Sequence, residues 1–247
     1  MPMAEGKARK RWVLVTRARE QAEETARALK ARGFLTLVDP LFETRRLAFE
    51  LPPTDQVQAV VLTSANAAYA LNRELAELPV FAVGEATAHA ARARGAFRLR
   101  VAEGDWSSLA DLLARELVPD QGLVLHLSGR EVQGELDSRL EQAGYAYRRV
   151  VVYETVPREE LGSRTRHALQ RRAIGAVLLF SPRTAATFAR LVREAGLAPA
   201  LEGTLCVCLS EAVAEEVADF APGMEIAVAE RRDQSALLAC LEARFQP

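Results

Sequence analysis

The chain has 247 residues, 32 Lys and Arg against 33 Asp and Glu, and a formal net charge of -1. Hydrophobic residues at 49% with charged residues at 26% describe an ordinary globular protein and exclude a disordered chain. Such a balanced charge argues against nucleic-acid binding by bulk electrostatics, and the length suits one large domain or two small ones.

Residues 1–11 are polar and basic (Lys7, Arg9, Lys10, Arg11), lack the apolar segment of a signal peptide, and predict a flexible tail. No apolar run approaches the ~20 residues of a membrane span, so a cytoplasmic protein with no membrane contact is expected. Val13-Leu-Val-Thr-Arg17 then reads as a short buried strand, followed by a helix with Ala22, Ala26 and Leu29 on one face and Gly33 at its C-cap. Strand-like runs recur at Ala59–Ser64, Val80–Gly84, Val124–Leu127, Val150–Tyr153, Ala176–Ser181 and Leu205–Ser210. Helical stripes lie between or after them, among them Ser107–Leu113, Val132/Leu136/Leu140, Phe188/Leu191/Val192/Ala195 and Ser235–Leu238. Gly95, Gly144 and Gly196 also follow helical runs. Strand–helix alternation of this kind predicts parallel, doubly wound sheets.

The sequence also repeats itself. Gly33-Phe-Leu-Thr-Leu-Val-Asp-Pro-Leu-Phe-Glu-Thr44 matches Gly144-Tyr-Ala-Tyr-Arg-Arg-Val-Val-Val-Tyr-Glu-Thr155, both ending in aromatic-Glu-Thr. Ala59-Val-Val-Leu-Thr-Ser64 matches Ala176-Val-Leu-Leu-Phe-Ser181, and Val80-Phe-Ala-Val-Gly84 matches Leu205-Cys-Val-Cys-Leu-Ser210. The order is A (12–44), B (55–118), A′ (122–155), B′ (165–246), an internal duplication that implies two similar domains.

Ligands of open parallel sheets bind beyond the carboxyl ends of the strands. The strand-to-helix junctions there are Thr16-Arg17, Thr63-Ser64-Ala65-Asn66, Gly84-Glu85-Ala86-Thr87, Ser128-Gly129-Arg130, Ser181-Pro182-Arg183-Thr184 and Ser210-Glu211. Each junction taken singly is served by helix capping alone. Together they offer hydroxyls, arginines and helix N-termini suited to a polyanionic small molecule. No G-x-G-x-x-G follows the first strand, and there is no P-loop and no G-x-S-x-G elbow. The three histidines, at 89, 126 and 167, form no zinc pattern, and His126 inside its strand reads as packed. Cys206 and Cys208 fall on one face of a strand and read, with Cys240, as buried small side chains. Asp39, Glu43 and Glu154 read as surface charges. Tyr153 closes an apolar run where the chain would leave one domain for the other. It reads either as a packed aromatic or as a hydrogen-bond donor and weak general acid; its repeat-mate Phe42 lacks the hydroxyl.

The order and spacing of Val13-Leu-Val-Thr-Arg17, Leu62-Thr-Ser-Ala-Asn66, Val83-Gly-Glu-Ala-Thr87, Leu127-Ser-Gly-Arg130, Val152-Tyr-Glu-Thr155 and Phe180-Ser-Pro182 resemble the uroporphyrinogen-III synthase family over nearly the whole chain. The resemblance implies an α/β fold of two flavodoxin-like parallel-sheet domains with exchanged segments. Domain 1 would comprise 1–38 and 157–247, domain 2 would comprise 45–149, and the linker strands would be 39–44 and 150–156. It implies closure of hydroxymethylbilane, a linear tetrapyrrole with eight carboxylates, to uroporphyrinogen III with inversion of ring D and loss of water. No cofactor and no metal are implied. Tyr153 would help the hydroxyl leave. Thr16, Arg17, Thr63, Ser64, Ala65, Asn66, Gly84, Thr87, Ser128, Gly129, Arg130, Ser181, Pro182, Arg183 and Ser210 would bind substrate. The second half departs from the family's Gly-x-x-Thr by reading Ser210-Glu-Ala-Val213. A monomer is expected, with transient contact to the enzyme that makes hydroxymethylbilane. The rival reading is a non-catalytic two-domain clamp for a small polyanion.

Overall fold

The computed structural model describes residues 12–132, 134–221 and 223–246; the expected tail at 1–11 lies outside them. In chain order the first elements are β1 (Trp12–Val15), α1 (Arg19–Ala31), β2 (Leu35–Val38), β3 (Phe42–Arg46), β4 (Val57–Leu62), α2 (Arg73–Glu77) and β5 (Val80–Ala82). Then come α3 (Glu85–Arg92), β6 (Leu99–Val101), α4 (Trp106–Glu116), β7 (Leu123–Gly129), α5 (Leu136–Gln142), β8 (Ala146–Pro157) and α6 (Ser163–Gln170). The chain closes with β9 (Ile174–Leu179), α7 (Pro182–Glu194), β10 (Leu205–Cys208), α8 (Glu211–Glu215), β11 (Glu225–Val228) and α9 (Gln234–Arg244). It divides into unit 1 (Met1–Glu43 and Pro157–Pro247) and unit 2 (Thr44–Val156), with the two crossings inside β3 and β8.

Unit 1 holds a five-stranded sheet, β2-β1-β9-β10-β11, with every pair parallel. Strand parity explains its two cores. Val13, Val15, Ala176, Leu178 and Val207 pack on one face with Leu237 and Leu241 of α9. Leu14, Val177, Leu179, Cys206 and Cys208 pack on the other with Phe188 and Val192 of α7. Helices on both faces are what non-alternating apolar strands require.

Unit 2 holds β3-β8-β7-β4-β5-β6, parallel from β8 to β6. Counted from β7, its order β8-β7-β4-β5-β6 is that of unit 1, which is the flavodoxin order of the duplicated unit, with β3 added outside β8. Val60, Leu62, Leu125 and Leu127 face one core; Ala59, Val61, Phe81 and Val124 face the other, under Leu109, Leu113, Leu136 and Leu140 of α4 and α5.

Two local expectations need correction. Val132 does not share a helix with Leu136 and Leu140. α5 starts at Leu136 because Gly134 adopts φ 88, where a Cβ would sit 2.3 Å from the Trp106 ring. Asp39 is no surface charge: at 5% exposure it accepts hydrogen bonds from Arg158 Nη1 (2.7 Å) and the Gly162 amide (2.9 Å), tying the segment after β2 to the one before α6. Cys206 and Cys208 do share a face, with Sγ atoms 3.8 Å apart and fully buried.

Candidate active site

Unit 2 carries a cavity of about 490 Å³ beyond the carboxyl ends of β4, β5, β7 and β8, lined by Thr63, Ser64, Val83, Gly104, Asp105, Trp106, Arg130, Glu131, Val132, Tyr153 and Thr155. The strand order reverses between β4 and β7, so this is the switch-point crevice where such sheets bind ligands. Four sequence-predicted residues meet there: Thr63, Ser64, Arg130 and Tyr153.

Tyr153 is only 9% exposed and belongs to the core that contains Leu127, Val150 and Val152. Its ring lies over Gly129, its register partner in β7; a Cβ at 129 would stand 2.7 Å from Cζ and 2.9 Å from the hydroxyl oxygen. The tyrosine ring therefore requires a glycine at 129. The Arg130 amide donates to the Tyr153 carbonyl (2.8 Å), and Arg130 Nε donates to Glu154 (2.9 Å) at the surface. Arg149, which the sequence did not single out, gathers the end of β7: its guanidinium donates to Ser128 Oγ, the Gly129 carbonyl and the Arg130 carbonyl.

The other unit-2 residues divide by burial. Ser128 is fully buried, and its hydroxyl accepts from Arg149 and donates to the Gly129 carbonyl. Ser64 caps the turn at Ala65–Ala70 by accepting from the Asn66 amide; Ala65 and Asn66 stand on that turn and do not line the cavity. Gly84 caps α3 and packs on Gly104, while Thr87 is 5% exposed in the first turn of α3. Asp105 caps α4, and hydrogen bonds from Ser108 hold its carboxyl below the usual range. Thr63 Oγ1 lies 2.9 Å from His126 Nε2, and His126 Nδ1 lies 2.7 Å from the Tyr147 hydroxyl. Burial, then the Arg149 charge, bring the His126 imidazole down to about 4, so it is neutral at pH 7.

In unit 1 the named residues lie at the carboxyl ends of β1, β9 and β10. Thr16 is fully buried and donates to the Leu178 carbonyl (3.0 Å). Arg17 donates to Gln21 and Gln234 and lies over the Phe180 ring at 4.1 Å; burial lowers its pKa. Ser181 caps α7 ahead of Pro182, and Arg183 lies over the Phe42 ring at 4.7 Å. Ser210 precedes α8 without capping it through its side chain. Ala59–Ser64 aligns with Ala176–Ser181, so Thr63 stands where unit 1 has Phe180 under a guanidinium.

The sequence reading missed Gly104, Asp105 and Glu131, which come from the β6–α4 and β7–α5 loops, and Trp106, the first residue of α4. Only Asp105, as a helix cap before Trp106-Ser-Ser, left a signal. Among the described residues no group of three or more His, Cys, Asp or Glu could hold a metal ion, and no helix is long and apolar enough to cross a membrane.

The family model of uroporphyrinogen-III synthase HemD matches residues 23–239. Among solved structures, uroporphyrinogen-III synthetase from Helicobacter pylori is 20% identical over 94% of this chain and 99% of its own, with a TM-score of 0.57. Uroporphyrinogen III synthase from Thermus thermophilus is 17% identical over 95% of this chain and 99% of its own, with a TM-score of 0.40. No curated protein matches the chain. The first of these structures shares the α/β fold with two sheets described above. With the family model matching most of its length, the chain belongs to the uroporphyrinogen-III synthase family.

Proposed function

We propose that the protein closes hydroxymethylbilane to uroporphyrinogen III with inversion of ring D and loss of water, and that the unit-2 cavity holds the reacting end of the substrate. The observation that carries this is the family match over 23–239 together with a switch-point cavity whose lining includes Tyr153. Departure of the substrate hydroxyl as water leaves an electrophilic azafulvene, and the pyrroles themselves are the nucleophiles. The protein needs no nucleophile of its own. It has to hold the chain so that ring D reacts through its substituted carbon, which is catalysis by positioning and electrostatics. Tyr153 is the proposed donor: its phenol O–H gives a proton to the departing hydroxide, and the proton lost from the closing pyrrole restores the balance. Its ring is fixed by Gly129 and the surrounding core, so the donor is held in place before substrate arrives.

Arg130, with its guanidinium at the surface, suits a carboxylate of the substrate. Arg17, Arg183, Ser181 and Ser210 are proposed as further carboxylate contacts. A cytoplasmic monomer that meets the hydroxymethylbilane-producing enzyme only transiently fits this role. The test is a coupled assay: hydroxymethylbilane is generated in situ, the protein is added without metal or cofactor, and the oxidised products are separated into type I and type III isomers. Type III product is expected. Type I alone, as in the protein-free control, would leave a clamp that binds without turnover.

A further inference from the structure

His126 has no part in the reaction as described, yet it is the one buried histidine among the described residues, at 3% exposure in a strand that is otherwise apolar up to Leu127. The duplication supplies an internal control. Val124 pairs with Ala59 and Tyr147 as Val13 pairs with Ala176 and Thr36. By this register His126 stands where unit 1 has Val15, Tyr147 where it has Thr36, and Thr63 where it has Phe180. The fold does not need the polar trio, because unit 1 closes around Val15 and Phe180 without it.

The hydrogen-bond geometry gives the trio a direction. A neutral imidazole donates from one nitrogen and accepts at the other. Tyr147 lies 2.7 Å from Nδ1 and Thr63 lies 2.9 Å from Nε2, and the tautomer decides which atom donates in each contact. A phenol oxygen is a weak acceptor and an imidazole nitrogen a strong one, so the favoured tautomer has Tyr147 donating to Nδ1 and the ring proton on Nε2. Nε2–H then donates to Thr63 Oγ1. The Thr63 proton is left pointing elsewhere, and Thr63 lines the cavity. Burial pushes the Tyr147 phenol up, which keeps its proton in place.

We propose that Tyr147 and His126 form a hydrogen-bond relay that commits the Thr63 hydroxyl to donate into the unit-2 cavity, making that point selective for an acceptor such as a ligand carboxylate. Only the identity of the ligand rests on the synthase reading; the relay stands on the protein alone. Tyr147 and His126 are positioning residues that act through Thr63.

The first test uses no substrate. Long-range ¹H–¹⁵N spectra of the labelled protein should show His126 as the neutral tautomer with the proton on Nε2; a proton on Nδ1 overturns the relay. The second uses kinetics with hydroxymethylbilane. Losing one directed neutral hydrogen bond should raise KM about fivefold in Tyr147→Phe with little change in kcat. The same change should have no further effect in a Thr63→Val background, because the relay then has no end. Tyr145→Phe, which removes a hydroxyl bonded to the Leu117 carbonyl, should leave KM unchanged. A Tyr147→Phe effect that persists undiminished in Thr63→Val overturns the proposal. Should the wild type form no type III product, the synthase reading fails, and the tautomer still decides the relay.

Discussion

Replacing Gly129 by alanine tests how Tyr153 is held. The new methyl carbon would lie 2.7, 2.8 and 2.9 Å from three atoms of the phenol, against the ~3.5–4.0 Å of an ordinary carbon contact. The ring cannot retreat into the core, because Tyr153 is 9% exposed among Leu127, Val150 and Val152. It must therefore move toward the cavity or force β7 and β8 apart. Overpacking of this kind costs about 1–3 kcal/mol. For a unit of this size that lowers the melting temperature by roughly 5–15 °C. Turnover should fall as well, since a displacement near 1 Å at a positioned donor costs about a hundredfold. Calorimetry and the coupled assay read both effects. Gly84→Ala is the comparison: its Cβ would meet Gly104 Cα at 3.5 Å, an ordinary contact, and should cost under about 1 kcal/mol. In a Tyr153→Ala background the Gly129→Ala cost should largely vanish. An unchanged melting temperature and unchanged turnover in Gly129→Ala would refute the claim that this glycine sets the ring.

Tyr153→Phe should lower kcat by about a hundredfold, the scale of a lost general acid, while leaving the melting temperature near that of the wild type. Ser181→Ala should instead cost about 1 kcal/mol of stability as a lost helix cap, with turnover changed only a few-fold. Asp39→Asn leaves Arg158 without its charge partner at a site 5% exposed and should destabilise unit 1 by roughly 2–4 kcal/mol, read by denaturant unfolding. For His126 the folded pKa of about 4 lies below the ordinary 6.5, so between these values the unfolded chain binds more protons and stability falls as pH falls. The loss should reach about 3 kcal/mol by pH 4. The charged groups acting on the ring are Arg149, which favours the neutral form, and Asp137, which opposes it. His126→Leu should lack this slope; identical slopes in the two proteins would remove His126 as its cause.

The duplication, the buried parallel strands and the junctions at their carboxyl ends were legible in the sequence because apolar run length and repeat spacing report them directly. Side-chain direction at the strand ends was not. Thr16 and Thr63 occupy similar junctions, yet Thr16 turns inward to the Leu178 carbonyl while Thr63 borders the cavity. Ser128 looked like a ligand hydroxyl until Arg149, nearly a full helix and turn later in the chain, was seen to hold it. Nothing local marks Asp39 as buried, because its partner Arg158 is brought beside it only by the fold. Nor does the repeat alone tell what the exchange of Phe180 for Thr63 means, because Arg17 is brought onto the phenyl ring only by the fold.

The central claim is that ring closure is directed from the unit-2 cavity. It is tested most directly by making unit 2 resemble unit 1 at that point, with Thr63→Phe and His126→Val together. The isomer ratio from the coupled assay should be type III for the wild type. For the double variant, checked by circular dichroism to be folded, it should revert to type I. Type III product from the double variant at the wild-type rate would contradict the account.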